Sequence, residues 1–209
     1  MFDRNALQFD SVFPVPLFRY RWPDSEPLNE SLRAAIFARE QESPGQVRSN
    51  VGGWQSTEDF QKWTGAAGQT LLSRIGEMVN QATSLLLLPQ SNVPAFRWKM
   101  AIWANVNRAR QFNQMHFHPG STWSGTYYVD SGDAPPPGNT SAGCISFMNP
   151  NLAASMSFFT SILPQTLVVP PEAGLMILFP SYLPHTVYPY EGERPRISVA
   201  FNVLKDPYP

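Results

Sequence analysis

The sequence predicts a mainly β protein with flanking helices, in which an N-terminal α/β extension precedes a double-stranded β-helix (jelly roll) core. From about Pro94 onwards, seven or eight short runs rich in Val, Ile, Tyr, Phe and Trp are separated by Pro, Gly, Asn and Asp, a pattern typical of short strands. No helical periodicity interrupts these runs, and the 21 prolines disfavour a helical bundle. Strands of this kind favour two packed sheets that can hold a site between them.

The N-terminal part, residues 1–93, is predicted to pack on the core of residues 94–209, so that the two parts form one structural unit. Its first element is expected to be an edge strand in VFPVPLFRY, residues 12–20. Edge strands tolerate proline because one side of their backbone needs no partner in the sheet.

Two helices are predicted in the extension. The first spans residues 25–42, with Ser25 or Asn29 as the candidate N-cap. The second is an amphipathic helix that we expect to pack on the outside of a sheet, because apolar residues recur in it every three or four positions. These residues are Phe60, Trp63, Ala67, Leu71, Ile75, Met78, Ala82 and Leu85.

Composition narrows the possible functions. The net charge is −1 and no basic cluster is present, which argues against nucleic acid as a partner. The apolar run Leu85–Leu88 is too short to cross a membrane, and the segment MFDRNALQFD lacks the apolar core of a secretion signal. Cys144 is the single cysteine and lies in the apolar segment GCISF, where we expect it to be a packing residue. A cytoplasmic location is therefore expected.

The three histidines of the chain, His116, His118 and His185, lie in segments that resemble strand ends. Residues i and i+2 of a strand point to the same face, so the H-x-H of NQMHFHPG can direct two imidazoles at one point. His185 follows much later, in LFPSYLPHTVYPY. Imidazole is the commonest metal ligand in proteins. The pattern favours a three-histidine metal site over ordinary core or surface histidines.

The residues alone do not decide which metal is bound. Three facial ligands leave about three positions free on an octahedral iron, enough for a bidentate cosubstrate and O2. Zinc would also accept three imidazoles and keep a water in its fourth position.

An anion-binding pair is predicted on the strand after the last histidine, in ERPRISVAFN. Strand alternation places Arg196, Ser198 and Ala200 on one face, and Ile197 and Val199 on the other. A guanidinium can bind a carboxylate through two hydrogen bonds, and a hydroxyl two residues away can add a third. Arg194 has the same parity as Arg196, but its E-R-P context indicates an exposed turn.

These motifs resemble those of the 2-oxoglutarate/Fe(II)-dependent dioxygenase superfamily, through H-x-H, the last histidine in GLMILFPSYLPH and the following R-x-S. More narrowly, HFHPGSTWSGTYYV and RISVAFN resemble a small bacterial and phage family of 2OG-Fe(II) oxygenases. The segments FPVPLF, LNESLRAAI and GGWQS extend this resemblance over nearly the whole chain.

The resemblance implies that His116, His118 and His185 bind Fe(II) and act as the catalytic set. It also implies that Arg196, with Ser198, binds the distal carboxylate of 2-oxoglutarate. The superfamily usually has an aspartate or glutamate where this chain has His118. His118 is thus either a metal ligand, in which case all three protein ligands are uncharged, or a residue beside the ligands. For the same reason, the use of 2-oxoglutarate is not decided by the resemblance.

Further residues are weaker candidates. Asn105, Asn113 or Gln114 could hydrogen-bond the cosubstrate or orient a ligand imidazole, and Tyr128 could contact the cosubstrate or pack in the core. We expect aromatic side chains to wall the pocket and exclude water; these are Trp103, Trp123 and Phe179. Asp130 and Gly174 are expected to be turn residues.

The sequence therefore predicts a non-haem iron oxygenase that uses Fe(II), 2-oxoglutarate and O2 to hydroxylate a small molecule or a peptide side chain. One alternative is a three-histidine dioxygenase or cupin-like enzyme that does not use 2-oxoglutarate. Another is a non-catalytic jelly-roll binding protein. No nucleic-acid or membrane partner is expected, and an exposed edge strand could support a homodimer.

Overall fold

The computed structural model describes residues 14–87, 97–151, 153 and 164–205. In these ranges the chain forms two antiparallel sheets and two long helices. The larger sheet has the strand order β1-β9-β6-β11-β4-β3 and the smaller has the order β2-β5-β10-β7-β8. The strands are β1 (Phe18–Arg21), β2 (Asn50–Val51), β3 (Trp54–Gln55), β4 (Trp98–Asn107), β5 (Phe112–His116), β6 (Trp123–Asp130), β7 (Ile145–Met148), β8 (Thr166–Val169), β9 (Leu175–Pro180), β10 (His185–Val187) and β11 (Arg196–Lys205).

The predicted mainly β jelly roll is confirmed. Seven of the eight strands from β4 to β11 overlap the segments that the alternating pattern marked, and the eighth, β5, lies in the segment of the H-x-H motif. The smaller strands β2 and β3 flank Gly52 and Gly53, and each joins a different sheet. Gly52 has a φ of +73°, which a glycine adopts without the steric cost that other residues incur. The GGW segment therefore passes the chain from the smaller sheet to the larger one.

The predicted edge strand is present but shorter than expected. β1 pairs only with β9 and ends the larger sheet, whereas Pro14 and Pro16 precede it outside the sheet. Residues 12 and 13 of the predicted strand lie outside the described residues.

The first helix, α1, spans Glu26–Glu42, as predicted to within one residue. Ser25 occupies the N-cap position, although its side chain makes no capping hydrogen bond. The alternative cap, Asn29, lies inside the helix, is buried, and accepts a hydrogen bond of 2.6 Å from the hydroxyl of Tyr127.

The second helix, α2, spans Gly65–Leu86 and begins later than the apolar pattern predicted. Phe60 lies in a separate 3₁₀ turn, Phe60–Lys62, and Trp63 follows that turn. Gly65 has a φ of +54°, outside the helical region, so the helix cannot continue back through it. Its apolar face packs on the outside of the larger sheet, as expected, and Thr83 accepts a hydrogen bond of 3.1 Å from the indole of Trp123.

The protein has two apolar cores of different size. The larger lies between the helices and the outer face of the larger sheet, and includes Leu32, Ile75 and Val106. The smaller lies between the two sheets, around Phe147 and Ile177. The space between the sheets is therefore only partly filled by apolar side chains, and the remainder is a cavity.

Candidate active site

A cavity of about 330 Å³ lies between the inner faces of the two sheets. Both sheets contribute polar side chains to its wall, together with a few aromatic and aliphatic ones. They include Ser49, Gln55, Trp103, Asn105, Asn113, His116, His118, Tyr128, Phe179, His185, Arg196, Ser198 and Asn202. The cavity is thus lined by the three histidines and by Arg196, Ser198, Asn105 and Tyr128, the main residues predicted to bind the cosubstrate.

The three histidines form one cluster at one end of this cavity. Their nearest ring nitrogens all lie within 4.8 Å of one another, and the ring centroids are 4.3 Å apart for His116 and His185. His116 ends β5 and faces His185, the first residue of β10, in the antiparallel register. His118 lies two residues beyond the end of β5, where its backbone N–H donates to the Ser181 carbonyl at 2.9 Å. The sequence placed His118 within the strand; it lies just after it, and its ring still reaches the cluster.

Each imidazole is oriented by a hydrogen-bonding group beside its Nδ1, so Nε2 is the candidate metal-binding atom of each ring. Nδ1 of His116 donates to the Gln114 carbonyl at 2.7 Å, and Nδ1 of His185 donates to the Leu183 carbonyl at 2.9 Å. Nδ1 of His118 lies 3.2 Å from Nδ2 of the Asn202 side-chain amide. Metal-binding histidines usually make such bonds through the nitrogen that does not bind the metal.

Burial keeps the cluster uncharged. It lowers the pKa of His116, lowers the pKa of His118 to about 4 and lowers the pKa of His185 to about 3. The neighbouring histidines add a smaller electrostatic contribution for His118 and His185. All three rings are therefore neutral near pH 7, the form in which imidazole binds metals.

A β-bulge in β5 brings two groups to the cavity that a regular strand would separate. His185 and Val187, two residues apart in β10, pair with His116 and Asn113, three residues apart in β5. The extra residue changes the alternation, so Asn113 and His116 both line the cavity. Asn113 Nδ2 donates to Ser49 Oγ at 3.2 Å, and that oxygen lies 3.4 Å from Nε2 of His116.

The other end of the cavity holds a buried cation. Arg196 is 2% exposed, and no acidic side chain among the described residues pairs with its guanidinium. One Nη donates to Asn107 Oδ1 at 3.3 Å, and the guanidinium carbon lies 5.1 Å from the centre of the Tyr128 ring. Nε of Arg196 has no hydrogen-bond partner. A buried charge without a counter-ion is costly unless an anion binds beside it.

The predicted companions of Arg196 also line the cavity. Ser198 is 4% exposed, and Oδ1 of Asn105 and the hydroxyl of Tyr128 are buried without a well-formed hydrogen bond. Burial raises the pKa of the Tyr128 hydroxyl, while the Arg196 guanidinium acts in the opposite direction. The hydroxyl therefore remains a hydrogen-bond donor at neutral pH.

Two weaker expectations, on Trp123 and Gln114, need correction or refinement. Trp123 does not wall the pocket; it faces α2 on the other side of the larger sheet. Gln114 orients His116 through its backbone carbonyl, and its side chain is exposed. Trp103 and Phe179 do line the cavity.

The residues expected in turns lie away from the cavity. Asp130 ends β6, where it accepts the Gly132 N–H at 2.9 Å and pairs with Arg33. Gly174 lies in a turn with a φ of +83°. Arg194 is exposed and pairs with Asp133 at 2.7 Å, as its sequence context indicated. Cys144 is buried, and burial raises the pKa of its thiol.

Four polar residues of the site were not singled out from the sequence. Asn202 follows from strand alternation, since it continues the row of Arg196 and Ser198 on β11. Asn107 has the same parity as Asn105 on β4. Ser49 and Gln55 flank the GGW segment, and no local pattern in that segment indicates that it reaches the cavity.

Residues 101–202 match the model of the family described as "Putative 2OG-Fe(II) oxygenase". The chain carries a 2OG-Fe(II) oxygenase domain. All three clustered histidines and Arg196 lie within the matched residues. A comparison of the sequence with curated proteins finds no match.

Solved structures resemble the oxygenase domain and its N-terminal extension together. A prolyl-4-hydroxylase from Pseudomonas putida is 16% identical, with 91% of this chain and 92% of that chain covered and a TM-score of 0.64. HygX from Streptomyces hygroscopicus, solved with nickel and 2-oxoglutarate bound, is 12% identical, with 93% and 84% covered and a TM-score of 0.58. At these identities the likeness establishes the fold alone.

A third structure was solved with a peptide. It is a prolyl hydroxylase from Trichoplax adhaerens in complex with a fragment of the hypoxia inducible factor oxygen degradation domain. It is 11% identical, with 90% of this chain and 83% of that chain covered and a TM-score of 0.62.

The residues of the oxygenase domain fit the two groups that the family name implies. Three neutral imidazoles with convergent nitrogens suit Fe(II), and the buried, acid-free surroundings of Arg196 suit a carboxylate. Within the described ranges, no helix is long and apolar enough to span a membrane.

Proposed function

We propose that the protein hydroxylates a small molecule or a peptide side chain, with Fe(II) bound by His116, His118 and His185 and with 2-oxoglutarate anchored by Arg196. One observation carries this proposal: a single cavity holds a neutral metal-binding cluster at one end and a buried, uncompensated guanidinium at the other. A dicarboxylate that chelates the metal at one end and meets the guanidinium at the other satisfies both.

At the metal end, the chain's contribution is orientation. The backbone carbonyls of Gln114 and Leu183 fix the rings of His116 and His185, so little reorganisation is needed when the metal binds. When bound, Fe(II) and 2-oxoglutarate supply the oxidising chemistry, in which O2, 2-oxoglutarate and a C–H substrate give succinate, CO2 and the hydroxylated product. Three protein ligands leave coordination positions for this chemistry.

At the anchor end, the chain's contribution is electrostatic. Arg196 offers two parallel N–H donors to a carboxylate, and the hydroxyls of Ser198 and Tyr128 line the same cavity. Because these donors are buried, their hydrogen bonds to a bound carboxylate are stronger than they would be in water. Asn105, whose Oδ1 has no partner, completes the polar wall.

The walls between the two ends exclude water from the reacting atoms. Trp103, Phe179, Ile145 and Val187 supply apolar surface there. Apolar walls around the reacting atoms limit side reactions of a reactive oxidant with water.

The substrate class rests on fewer observations than the metal and cosubstrate sites do. Exposed Arg48 and Glu58 line the opening of the cavity, and a related fold binds a peptide in the Trichoplax adhaerens complex. A substrate with polar groups, either a small molecule or a peptide, would meet both side chains on entry. A cytoplasmic location and a homodimer remain predictions from the sequence.

The test is an anaerobic titration of the Fe(II)-loaded protein with 2-oxoglutarate, monitored by visible spectroscopy. Chelation of the iron by 2-oxoglutarate should produce a metal-to-ligand charge-transfer band that saturates with one cosubstrate per chain. Arg196→Met should shift the titration to much higher 2-oxoglutarate concentrations. If the Fe(II)-loaded wild type shows no band at saturating cosubstrate, the proposal is wrong.

The neutral ligand set favours a second candidate, a three-histidine dioxygenase that does not use 2-oxoglutarate. It would bind iron through the same residues but would need no carboxylate anchor. Turnover of such an enzyme should therefore survive Arg196→Ala and proceed without succinate formation. The buried guanidinium is the observation that ranks this candidate second.

A further inference from the structure

His118 differs from the other two histidines in what holds its ring. Nδ1 of His116 and Nδ1 of His185 face backbone carbonyls, which only accept hydrogen bonds. Those two rings must therefore carry their proton on Nδ1, which leaves Nε2 unprotonated. Nδ1 of His118 instead lies 3.2 Å from Nδ2 of Asn202, and this side-chain amide presents a donor through Nδ2 or, when turned over, an acceptor through Oδ1.

Asn202 is itself held in place by a second side chain. It lies directly opposite Ser124 in the register of β11 and β6, so the two side chains share one face of the larger sheet. Ser124 is 1% exposed, and its hydroxyl lies 2.8 Å from Oδ1 of Asn202. His118, Asn202 and Ser124 thus form a chain that runs from the metal cluster into the sheet.

The direction of these hydrogen bonds decides whether His118 can bind a metal. A neutral imidazole has a lone pair on only one nitrogen, so Nε2 can bind iron only when Nδ1 carries the proton. That proton needs an acceptor, and Oδ1 of Asn202 is the acceptor the amide can offer. The two ends of the amide have nearly the same shape, so Oδ1 fits beside His118 as well as Nδ2 does. Nδ2 then donates to the hydroxyl of Ser124, which can accept as readily as donate.

We propose that Asn202, supported by Ser124, is a positioning residue that places the proton of His118 on Nδ1 and so makes His118 a metal ligand. The inference rests on the proposed function, in which His118 occupies the place of a carboxylate. A carboxylate offers two equivalent oxygens and needs no such partner. An imidazole in the same place needs a partner that selects its tautomer and fixes its ring plane.

The decisive measurement is the tautomer of His118 in the metal-free protein. The chain has three histidines, so long-range ¹H–¹⁵N spectra of histidine-labelled protein at pH 7.5 will show three resolved rings, each assigned with a His→Gln variant. We expect all three to carry the proton on Nδ1. A His118 ring protonated on Nε2 in the wild type would overturn the inference, whether or not any variant folds.

Variants of Asn202 separate positioning from a structural role. Asn202→Asp keeps an acceptor and should retain the Nδ1–H tautomer, whereas Asn202→Leu fills similar space without one and should lose it. The affinity for Co(II), used as a spectroscopic substitute for Fe(II), should fall about 10- to 100-fold in Asn202→Leu and be retained in Asn202→Asp. Asn80→Leu removes an amide hydrogen bond on the outside of α2 and should change neither quantity.

A double variant tests whether Asn202 acts through His118. In the His118→Ala background, Asn202→Leu should weaken Co(II) binding no further, because the group it positions is gone. Additive losses would indicate a general structural role and contradict the inference. Failure of the wild type to bind Fe(II) or Co(II) would instead contradict the proposed function, and the tautomer spectra would still report on Asn202.

Discussion

The two ends of the cavity differ in charge, in burial and in the sheet that supplies them. The histidine end comes from the smaller sheet and the segment after β5, is neutral near pH 7, and includes two half-buried rings. The arginine end comes from the larger sheet and holds a charge that is 2% exposed. One end is thus suited to receive a cation and the other an anion.

This difference shows how one cavity can bind two oppositely charged groups. The larger sheet has a helix-covered outer core, so β11 can hold a buried charge on its inner face without losing its packing. The smaller sheet has only the minor core on its inner side, and burial there lowers the pKa of His185. Variants at the histidine end should therefore change metal binding, and variants at the arginine end should change 2-oxoglutarate binding.

The largest effect is expected at the histidine end. His185→Gln keeps most of the side-chain volume but removes the imidazole, so stoichiometric binding of Fe(II) should be lost. Iron content after anaerobic reconstitution measures this directly, with circular dichroism as the control for folding. Iron at a wild-type ratio to protein would exclude His185 as a ligand.

The next effect tests the arginine end. Arg196→Met removes the buried cation, and truncating one partner of a buried charge pair costs about 2–5 kcal/mol, which corresponds to a loss in 2-oxoglutarate affinity of roughly 30- to 4,000-fold. The free energy of unfolding of the cosubstrate-free protein should not fall, because the variant also removes an uncompensated buried charge. Calorimetric titration and urea denaturation measure the two quantities.

Arg194→Met provides the matched control for this variant. Arg194 lies two residues away but is exposed and paired with Asp133, so its loss should leave 2-oxoglutarate affinity unchanged. Equal losses in both variants would mean that Arg196 acts only through the net charge of the region.

Acid should affect the histidine end alone. The pKa values of His118 and His185 are about 4 and about 3 in the folded protein, below the usual value of 6.5. At pH values between the folded-state and the usual pKa, the unfolded chain therefore binds more protons than the folded protein. The free energy of unfolding of the metal-free protein should therefore be greatest above pH 6.5 and fall as the pH is lowered towards 4.

The dependence of this free energy on pH has a slope of at most about 1.4 kcal/mol per pH unit for each histidine. Urea denaturation across this range should show a shallower slope in His118→Gln, and an unchanged slope would assign the effect to other groups.

Much of this architecture could be predicted because alternation in strands is a local pattern. Seven of the eight core strands and the inward face of Arg196 and Ser198 follow from a period of two residues. The same rule could have excluded Trp123, which lies five residues from Tyr128 and so must face the opposite side of β6. The start of α2 was missed because a single glycine conformation, at Gly65, overrides an apolar pattern that continues through it.

The remaining features depend on contacts between distant parts of the chain. The bulge in β5 is defined by its register with β10, which the sequence of β5 does not encode by itself. Asn202 lies 84 residues from His118, and Ser49 lies 67 residues from His116. Such pairs become visible only once both sheets are assembled.

The smallest effect compares two adjacent tyrosines that face opposite sides of β6. Tyr128 points into the cavity with a buried hydroxyl that has no well-formed hydrogen bond, whereas the hydroxyl of Tyr127 donates to Asn29 on the helix side. Tyr128→Phe should weaken 2-oxoglutarate binding by about 1 kcal/mol, roughly fivefold, and should leave the cosubstrate-free protein at least as stable as the wild type. Tyr127→Phe should lower the free energy of unfolding by about 1–3 kcal/mol, because the buried Asn29 then loses its partner, and should leave 2-oxoglutarate affinity unchanged. Calorimetry and urea denaturation on both variants would show opposite patterns. If Tyr128→Phe destabilises the fold as Tyr127→Phe does, the Tyr128 hydroxyl has a structural partner. It would then not be one of the groups that bind the carboxylate at the arginine end.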